Sequence, residues 1–507
     1  MTTAPNLTPQ ITPKLRSSNF YIWMVGIFVF SLAIRFWGLE RFNTLVFDEI
    51  YYAKFANNYL TKTPFFNAHP PLSQYLIAIG IAIGEKLPFG SGVVNDLTGS
   101  VVKSWSYRWL NALMGSFVPL VVAGLAWQLT QRSRLAILAG VLSALDGLFL
   151  VESRYALNNI YLVLFGLLGQ VCFLIAARQL NSDESWKTSF TRPSMSWIWM
   201  TLSGFFLGCS ASIKWNGLWF LITVVGIYAL AWAFRWIDPM SKNNELNNEP
   251  TLPQQIINIP ALPIVLGIAI VPLLTYYVLW IPHIAQNPDL QFWILQQNIY
   301  LYHKGSSVIG NVHPYCSTWQ TWLTMLIPVA YFYKLGINPT EPIALNAANV
   351  PLLPGTSIYA VHAMGNPFLW WMTTAAIVAI GITLLLRLWN RLFGRGFSDS
   401  FVLATIMVGY GANLIPWMGI SRCAFLYHYM GSSVFATLAL AWWGDRALSR
   451  QNPALTRMVW IAIGLSVVGF IFWMPIFLGL PLDDVGYRLR MWFPSWVEGA
   501  SALKRKW

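Results

Sequence analysis

The sequence predicts an all-α polytopic membrane protein with about eleven transmembrane helices and shorter helices lying at the surface in its outside loops. Three observations carry that prediction. Hydrophobic residues fill 56% of the 507 positions and charged residues only 10%, against roughly 25% charged in a soluble domain. Apolar runs of spanning length, about 20 residues, recur near 20–39, 107–129, 133–152, 157–178, 197–213, 216–236, 260–282, 367–388, 401–417, 424–444 and 458–478. Basic residues gather at alternate ends of those runs.

The basic residues set the orientation, because positive charge favours the cytoplasmic side. With the N-terminus inside, held by Lys14 and Arg16, the cytoplasmic loops carry Arg132 and Arg134, then Arg178, Lys187 and Arg192, then Arg235 and Lys242. Later ones carry Arg387, Arg391 and Arg395, then Arg446, Arg450 and Arg457. Leu72–Ile83 and Trp322–Leu335 are apolar but short, and read as helices lying at the surface. Counting Leu72–Ile83 as a span would turn all those basic loops outward. The C-terminus then lies outside, although the tail Lys504-Arg505-Lys506 argues against that end. Residues 1–507 read as one transmembrane domain, with long outside loops at 40–106 and 283–366. The Asn-rich stretch near 238–258 reads as a flexible linker. The run after residue 19 is too long for a signal-peptide core and lacks a small-residue cleavage site, so it reads as a membrane helix.

A formal charge of +13 resembles a nucleic-acid signature, but the basic residues flank apolar runs and read as anchors, so no nucleic-acid partner is expected. The 27 Trp suit a chain with much membrane interface. Cys172 and Cys209 fall inside spans and read as packing residues. Cys316 and Cys423 lie near the outer face, where a disulfide can form, though the sequence does not establish one. No zinc-like Cys/His spacing is present.

On this thread the unusual polar clusters fall on one side of the membrane. They are Phe47-Asp48-Glu49-Ile50-Tyr51-Tyr52, His69-Pro70-Pro71-Leu72, Arg108, Ser153-Arg154-Tyr155, Lys214-Trp215-Asn216, His313-Pro314-Tyr315, Arg422 and Tyr427-His428-Tyr429. A carboxylate beside a membrane helix, amid aromatics, suits a general base. A glycosidase needs two carboxyl groups because an alcohol leaves poorly. A sugar on a lipid phosphate already has a good leaving group, so one base suffices where cations stabilise the departing phosphate. Arg108 and Arg154 suit that work through bidentate guanidinium contacts, or else snorkel to the headgroups. Arg35 stands inside an apolar span, where a charge is costly and usually has a partner. His69-Pro and His313-Pro form turns, and their imidazoles can also meet a phosphate or an acceptor. Trp319 and Trp322 share a helix face, as interface anchors or as acceptor contacts. Asp146 has no assigned role.

In this order the motifs resemble the protein O-mannosyltransferase family of the multispan GT-C class. The resemblance rests on Asp48-Glu49 followed by Lys54-Phe55, His69-Pro70-Pro71-Leu72, Arg108, Asp146 with Ser153-Arg154-Tyr155, and Gly208-Cys209 before Lys214-Trp215-Asn216-Gly217-Leu218. It continues through His313-Pro314-Tyr315 with Ser317, Trp319 and Trp322, then Pro416-Trp417, Arg422, Phe425 and Tyr427-His428-Tyr429. It implies a GT-C fold and a polyprenyl-phosphate-mannose donor whose lipid tail enters between helices. It implies transfer with inversion to Ser or Thr of a secreted or membrane protein, outside the cytoplasm. Asp48 is then the base and Glu49 positions the acceptor or the loop. Arg108 is the first choice at the donor phosphate, followed by Arg154, His69 and Arg422. His313, Tyr315, Trp319, Trp322 and His428 belong to the acceptor side or its loop. No metal ligand or cofactor is assigned, and the resemblance leaves a divalent ion open.

The sequence departs from the family pattern in places. Leu323 and Gly431 stand where prolines are expected, Ile327 where an arginine is, and Asn159 where an acid follows Ser-Arg-Tyr. The second long loop lacks the β-trefoil insert of fungal and animal members, so the bacterial type fits. Two rivals are a GT-C transferase acting on a glycolipid or cell-wall acceptor and a transporter. The clustering of polar motifs at one face disfavours the transporter, which places charges near the midplane.

Overall fold

A computed structural model describes residues 18–504 apart from 91, 181–194, 238–249, 305–312, 340, 343–354 and 393–399. Lys14, Arg16, Lys187, Arg192, Lys242, Arg395 and most of the Asn-rich stretch lie outside the described residues. Leu252–Ile257, at the end of that stretch, is helical rather than a flexible linker.

Every apolar run expected to span contains a helix. Among the described residues eight helices are long and apolar enough to cross a membrane, or nine if the bent pair Ser133–Ala144 and Gly147–Arg154 is one span. The 59° bend in that pair has a cause. The Asp146 carboxylate accepts from the Leu148 and Phe149 amides at 2.8 and 3.1 Å, ending one helix and capping the next. Asp146 is therefore a helix cap. The bend carries Glu152, Ser153 and Arg154 in a second direction, behind the Asp48 loop.

The Asn159–Leu180 helix lies near the centre and packs against Met195–Ala211 and Ser104–Thr130. Small groups permit the first contact: Ser203 and Ser210 hydroxyls bond the Gly169 and Leu162 carbonyls across it. Of the two short apolar stretches, Leu72–Gly84 is the expected helix. It packs on Ser104–Thr130 so closely that a Cβ at Gly84 would lie 2.7 Å from the Ser106 Cα. The other departs from expectation. Only Trp319–Leu323 is helical, and Val329–Asn338 is a strand. It carries Val329, Tyr331, Phe332 and Tyr333, residue types that suit a pleated surface. It pairs antiparallel with Ser357–Ala363 and Glu341–Pro342, and Pro481–Leu482 adds the far edge. A hairpin, Val94–Leu97 with Ser100–Lys103, closes the first long loop. Among the described residues the predominantly helical membrane fold therefore carries two small sheets that the apolar periodicity did not reveal.

Cys316 and Cys423 form a disulfide, flanked by a Ser317–Ala424 bridge. It joins the second long loop to the segment leading into Met430–Ser449. Cys172 and Cys209 are buried free thiols.

Candidate active site

The site is assembled around Phe47. Its backbone stands at φ +51, a left-handed conformation rare for a bulky residue, which persists only where surroundings enforce it. Those surroundings are aromatic. The ring stacks on Tyr331 at 4.1 Å and meets His313, Phe425 and Tyr427 edge-on at 6.2 to 6.3 Å. One residue thus gathers both long loops and the segment before Met430.

The two carboxylates after Phe47 have opposite fates. Glu49 is wholly buried. Its Oε1 accepts from Arg108 Nε and the Ala156 amide, and its Oε2 from Arg108 Nη2 and the Val46 amide, all at 2.7 to 2.9 Å. Four bonds fill its ordinary acceptor positions. Asp48 opens the Glu49–Thr61 helix, yet its side chain makes no capping bond and stays partly accessible. Burial pushes its carboxyl up to about 6, with the Lys214 charge pulling the other way.

Lys214 reaches this place through a tight turn after Met195–Ala211. A Cβ at Gly217 would sit 2.2 Å from the Ser210 carbonyl oxygen, so this turn needs glycine there. The Leu72 amide donates to the Ser212 carbonyl at 3.0 Å, tying the His69-Pro70-Pro71 turn to the lysine turn. Lys214 Nζ donates to Asn159 Oδ1 at 2.9 Å and lies over the Tyr427 ring at 5.3 Å. Burial lowers its ammonium to about 8, opposed by Asp48 and Glu152 and reinforced by Arg422.

His69 and His303 face each other at 5.2 Å, and His303 Nε2 meets the Ala68 carbonyl at 3.0 Å. Burial, with Lys214 and Arg422 nearby, holds both imidazoles neutral: His69 well below its usual range and His303 at about 4. Arg422, partly buried, makes one long contact, Nη1 to the Cys423 carbonyl at 3.5 Å. Lys214, beside Asp48, and Arg422, beside Lys214, therefore keep spare donors.

The other arginines of the expected site are turned to the backbone or to buried serines instead. Arg108, expected at the donor phosphate, is fully buried. Besides Glu49 it donates to the carbonyls of Leu39, Phe42 and Thr44 at 2.9 to 3.2 Å, so all five N–H groups are used. It holds the loop before Phe47 and has none left for a phosphate. Arg154 gathers the carbonyls of Ile34, Arg35, Trp37 and Gly38, closing the end of Ser18–Phe36. Arg35 finds Ser153 and Ser31 in the same buried corner.

The expected acceptor group also divides. His313 faces Phe47 and Phe425, and burial lowers its imidazole. His428 packs between Trp417 and Tyr427 with Nδ1 accepting from the Phe425 amide at 3.1 Å. Tyr315 donates its hydroxyl to the Val497 carbonyl at 2.8 Å, with its ring 5.9 Å from that of His313. Trp319 is half-buried, whereas Trp322 is a core residue donating to Ser317 Oγ at 2.8 Å, and is no interface anchor. Among the described residues no group of three or more His, Cys, Asp or Glu side chains is placed to hold a metal ion.

Residues 25–284 match the family model described as dolichyl-phosphate-mannose-protein mannosyltransferase, and residues 290–496 match the C-terminal four TMM region of protein-O-mannosyltransferase. The chain belongs to the protein O-mannosyltransferase family. Polyprenol-phosphate-mannose–protein mannosyltransferases of Corynebacterium glutamicum and Mycolicibacterium smegmatis are each 25% identical to it. The first alignment covers 96% of both chains, the second 89% of this chain and 88% of the relative. Among solved structures, the Saccharomyces cerevisiae protein O-mannosyltransferase Pmt1-Pmt2 complex bound to the sugar donor has the same fold, with a TM-score of 0.70 at 14% identity, covering 96% of this chain and 93% of that one. ArnT from Cupriavidus metallidurans bound to undecaprenyl phosphate shares the fold more distantly, at a TM-score of 0.50 and 11% identity over 92% of this chain and 77% of that one. The chain is thus a multi-pass membrane protein of the GT-C fold.

For this family member, sequence reasoning noticed Lys214 as part of a motif without counting it in the site. It noted Asn159 only as a departure from the family pattern, and it missed Glu152, Tyr331 and His303. Of those three, Glu152 gave a usable signal, a charge at the end of an apolar run.

Proposed function

We propose that the protein is a glycosyltransferase that moves mannose from a polyprenyl-phosphate carrier to Ser or Thr hydroxyls of secreted or membrane proteins, with inversion, on the extracytoplasmic face of the cell membrane. The observation that carries this reading is the division between neighbouring carboxylates. Glu49 has its acceptor positions filled, whereas Asp48 is partly accessible and beside Lys214, which has a spare donor and Arg422 as its neighbour. Asp48 takes the proton of the acceptor hydroxyl, and that oxygen forms a bond to the anomeric carbon. The bond from that carbon to the phosphate oxygen breaks on the opposite face. Lys214 and Arg422 stabilise the departing lipid phosphate, and its low basicity removes the need for a general acid. A carboxyl near 6 is largely ionised at neutral pH and still close enough in basicity to share a proton efficiently. Glu49 acts on the loop, through Arg108.

The alternating basic loops support the outward orientation, as does the Cys316–Cys423 disulfide, a bond of oxidising compartments. The names of the relatives support the donor and the protein acceptor. The test is transfer of labelled mannose from polyprenyl-phosphate mannose by the purified protein. Label on a Ser/Thr-containing peptide is expected. Label only on a lipid acceptor would contradict the reading and favour a glycolipid transferase.

A further inference from the structure

Glu152 is a fully buried carboxylate that the reaction above leaves unused. Burying a carboxylate is costly unless it is bonded or paired, and Glu152 has two partners. Its Oε2 accepts from Asn159 Nδ2 at 3.0 Å, and its Oε1 accepts from the Tyr331 hydroxyl. Each partner leads to the site. With its Nδ2 turned to Glu152, the Asn159 amide points Oδ1 at Lys214 Nζ, 2.9 Å away. Tyr331 is the extra residue of a β-bulge: Ala330 pairs with His362 and Phe332 with Val361, leaving Tyr331 between them. A bulge re-aims a side chain, and this one meets Glu152 with its hydroxyl while its ring stacks on Phe47, the strained residue preceding Asp48.

We propose that Glu152 is a positioning residue that fixes the cation and the base together, holding Lys214 through Asn159 and the Phe47–Asp48 turn through Tyr331. The inference rests on the reading of Asp48 as base and Lys214 as phosphate cation. It also accounts for the departure at position 159. Asn159 stands where an acid is expected, and Glu152 supplies a carboxylate one hydrogen bond away.

Donor and acceptor counting gives a sharp test. In Glu152→Gln an amide NH2 replaces one oxygen. Either it faces Asn159 Nδ2, or Asn159 turns over and offers its NH2 to Lys214; a third arrangement reverses the Tyr331 bond. Each of the first two breaks an arm, and the third keeps the contacts but leaves the buried Tyr331 proton without an acceptor, which disfavours it. In Asn159→Asp the new carboxylate lies about 3 Å from Glu152, and the two must share a proton. In the double variant the carboxylate introduced at position 159 accepts from both Lys214 and the amide NH2 introduced at position 152. The amide oxygen at position 152 then accepts from Tyr331, so each group is satisfied again.

The measurement is turnover of labelled polyprenyl-phosphate mannose at saturating donor, with the unfolding temperature in detergent alongside. We expect each single variant to be about 10- to 100-fold slower and the double variant to return to within about 3-fold of wild type. Asn159→Asp thus harms the natural chain and repairs Glu152→Gln. A wild-type rate for Glu152→Gln, or a double variant no faster than Glu152→Gln at an unchanged unfolding temperature, overturns the proposal. Should Glu152→Gln fail to accumulate, Tyr331→Phe removes one arm at constant shape. It is expected to slow turnover about 3- to 10-fold, and a normal rate overturns the proposal. Asp48→Asn, run in parallel, separates the two ideas. If it is inactive while Glu152→Gln is normal, only the role of Glu152 falls; if it is active, the base assignment itself falls.

Discussion

Glu49 and Arg108 close completely on each other: Nε meets Oε1 at 2.9 Å and Nη2 meets Oε2 at 2.7 Å, with both side chains shut away from solvent. The pair also binds the backbone at Leu39, Phe42, Thr44, Val46 and Ala156. It acts as a peg through the loop that presents Asp48.

Breaking the peg should therefore appear first as instability. Glu49→Gln leaves a buried guanidinium without its counter-charge, which typically costs about 3–5 kcal/mol. Arg108→Lys cannot reproduce the fork and should fail similarly. Thermal unfolding in detergent checks this: both variants should unfold at clearly lower temperature and lose transfer in proportion to the folded fraction lost. A stable Arg108→Ala protein with weakened donor binding would instead return Arg108 to the phosphate.

The two titrating groups at the site give opposite limbs to the pH–rate profile. Asp48 works deprotonated, so turnover should fall as pH drops through about 6. Lys214 works charged, so turnover should fall as pH rises through about 8. Lys214→Arg stays charged at any working pH. It should abolish the upper limb and leave the lower one in place. An upper limb that survives in Lys214→Arg assigns it to another group.

The disulfide fastens His313 and Arg422 to one another's segments. Replacing both Cys316 and Cys423 by Ser should cost about 2–4 kcal/mol of stability. It should also slow transfer several-fold, because both segments border Phe47. Activity of the wild-type protein with and without a thiol reductant, read beside its non-reducing mobility, tests this. Unchanged activity in the fully reduced protein would make the bond purely a staple.

Much of this was legible in the sequence alone. Apolar length located a helix in each of the eleven expected runs, because a bilayer imposes one length on every crossing, but among the described residues only eight or nine are long and apolar enough to cross. The ordered motifs located Asp48, His69, His313, Arg422 and His428, which do converge, because polar residues beside apolar helices are expensive and have reasons. What stayed hidden depended on partners. Arg108 and Arg154 look equally fit to grip a phosphate until the carbonyls that hold them in the loop and at the helix end are seen. Asp146 is a helix cap only once the bend is known. Val329–Asn338 is as apolar as a surface helix, and only its neighbour across the sheet makes it a strand. Tyr331 enters the site because of a bulge, a register event without a mark in single-sequence periodicity.

The most direct test of the account is transfer by Asp48→Asn. The substitution keeps size and removes the ability to accept a proton. A lost general base typically slows a reaction about 10²- to 10⁴-fold. The account predicts a fall of that order at saturating donor, with the unfolding temperature and the retention of labelled polyprenyl-phosphate mannose unchanged. Transfer at the wild-type rate by Asp48→Asn would contradict it, because no other carboxylate beside Lys214 is both unspent and accessible among the described residues.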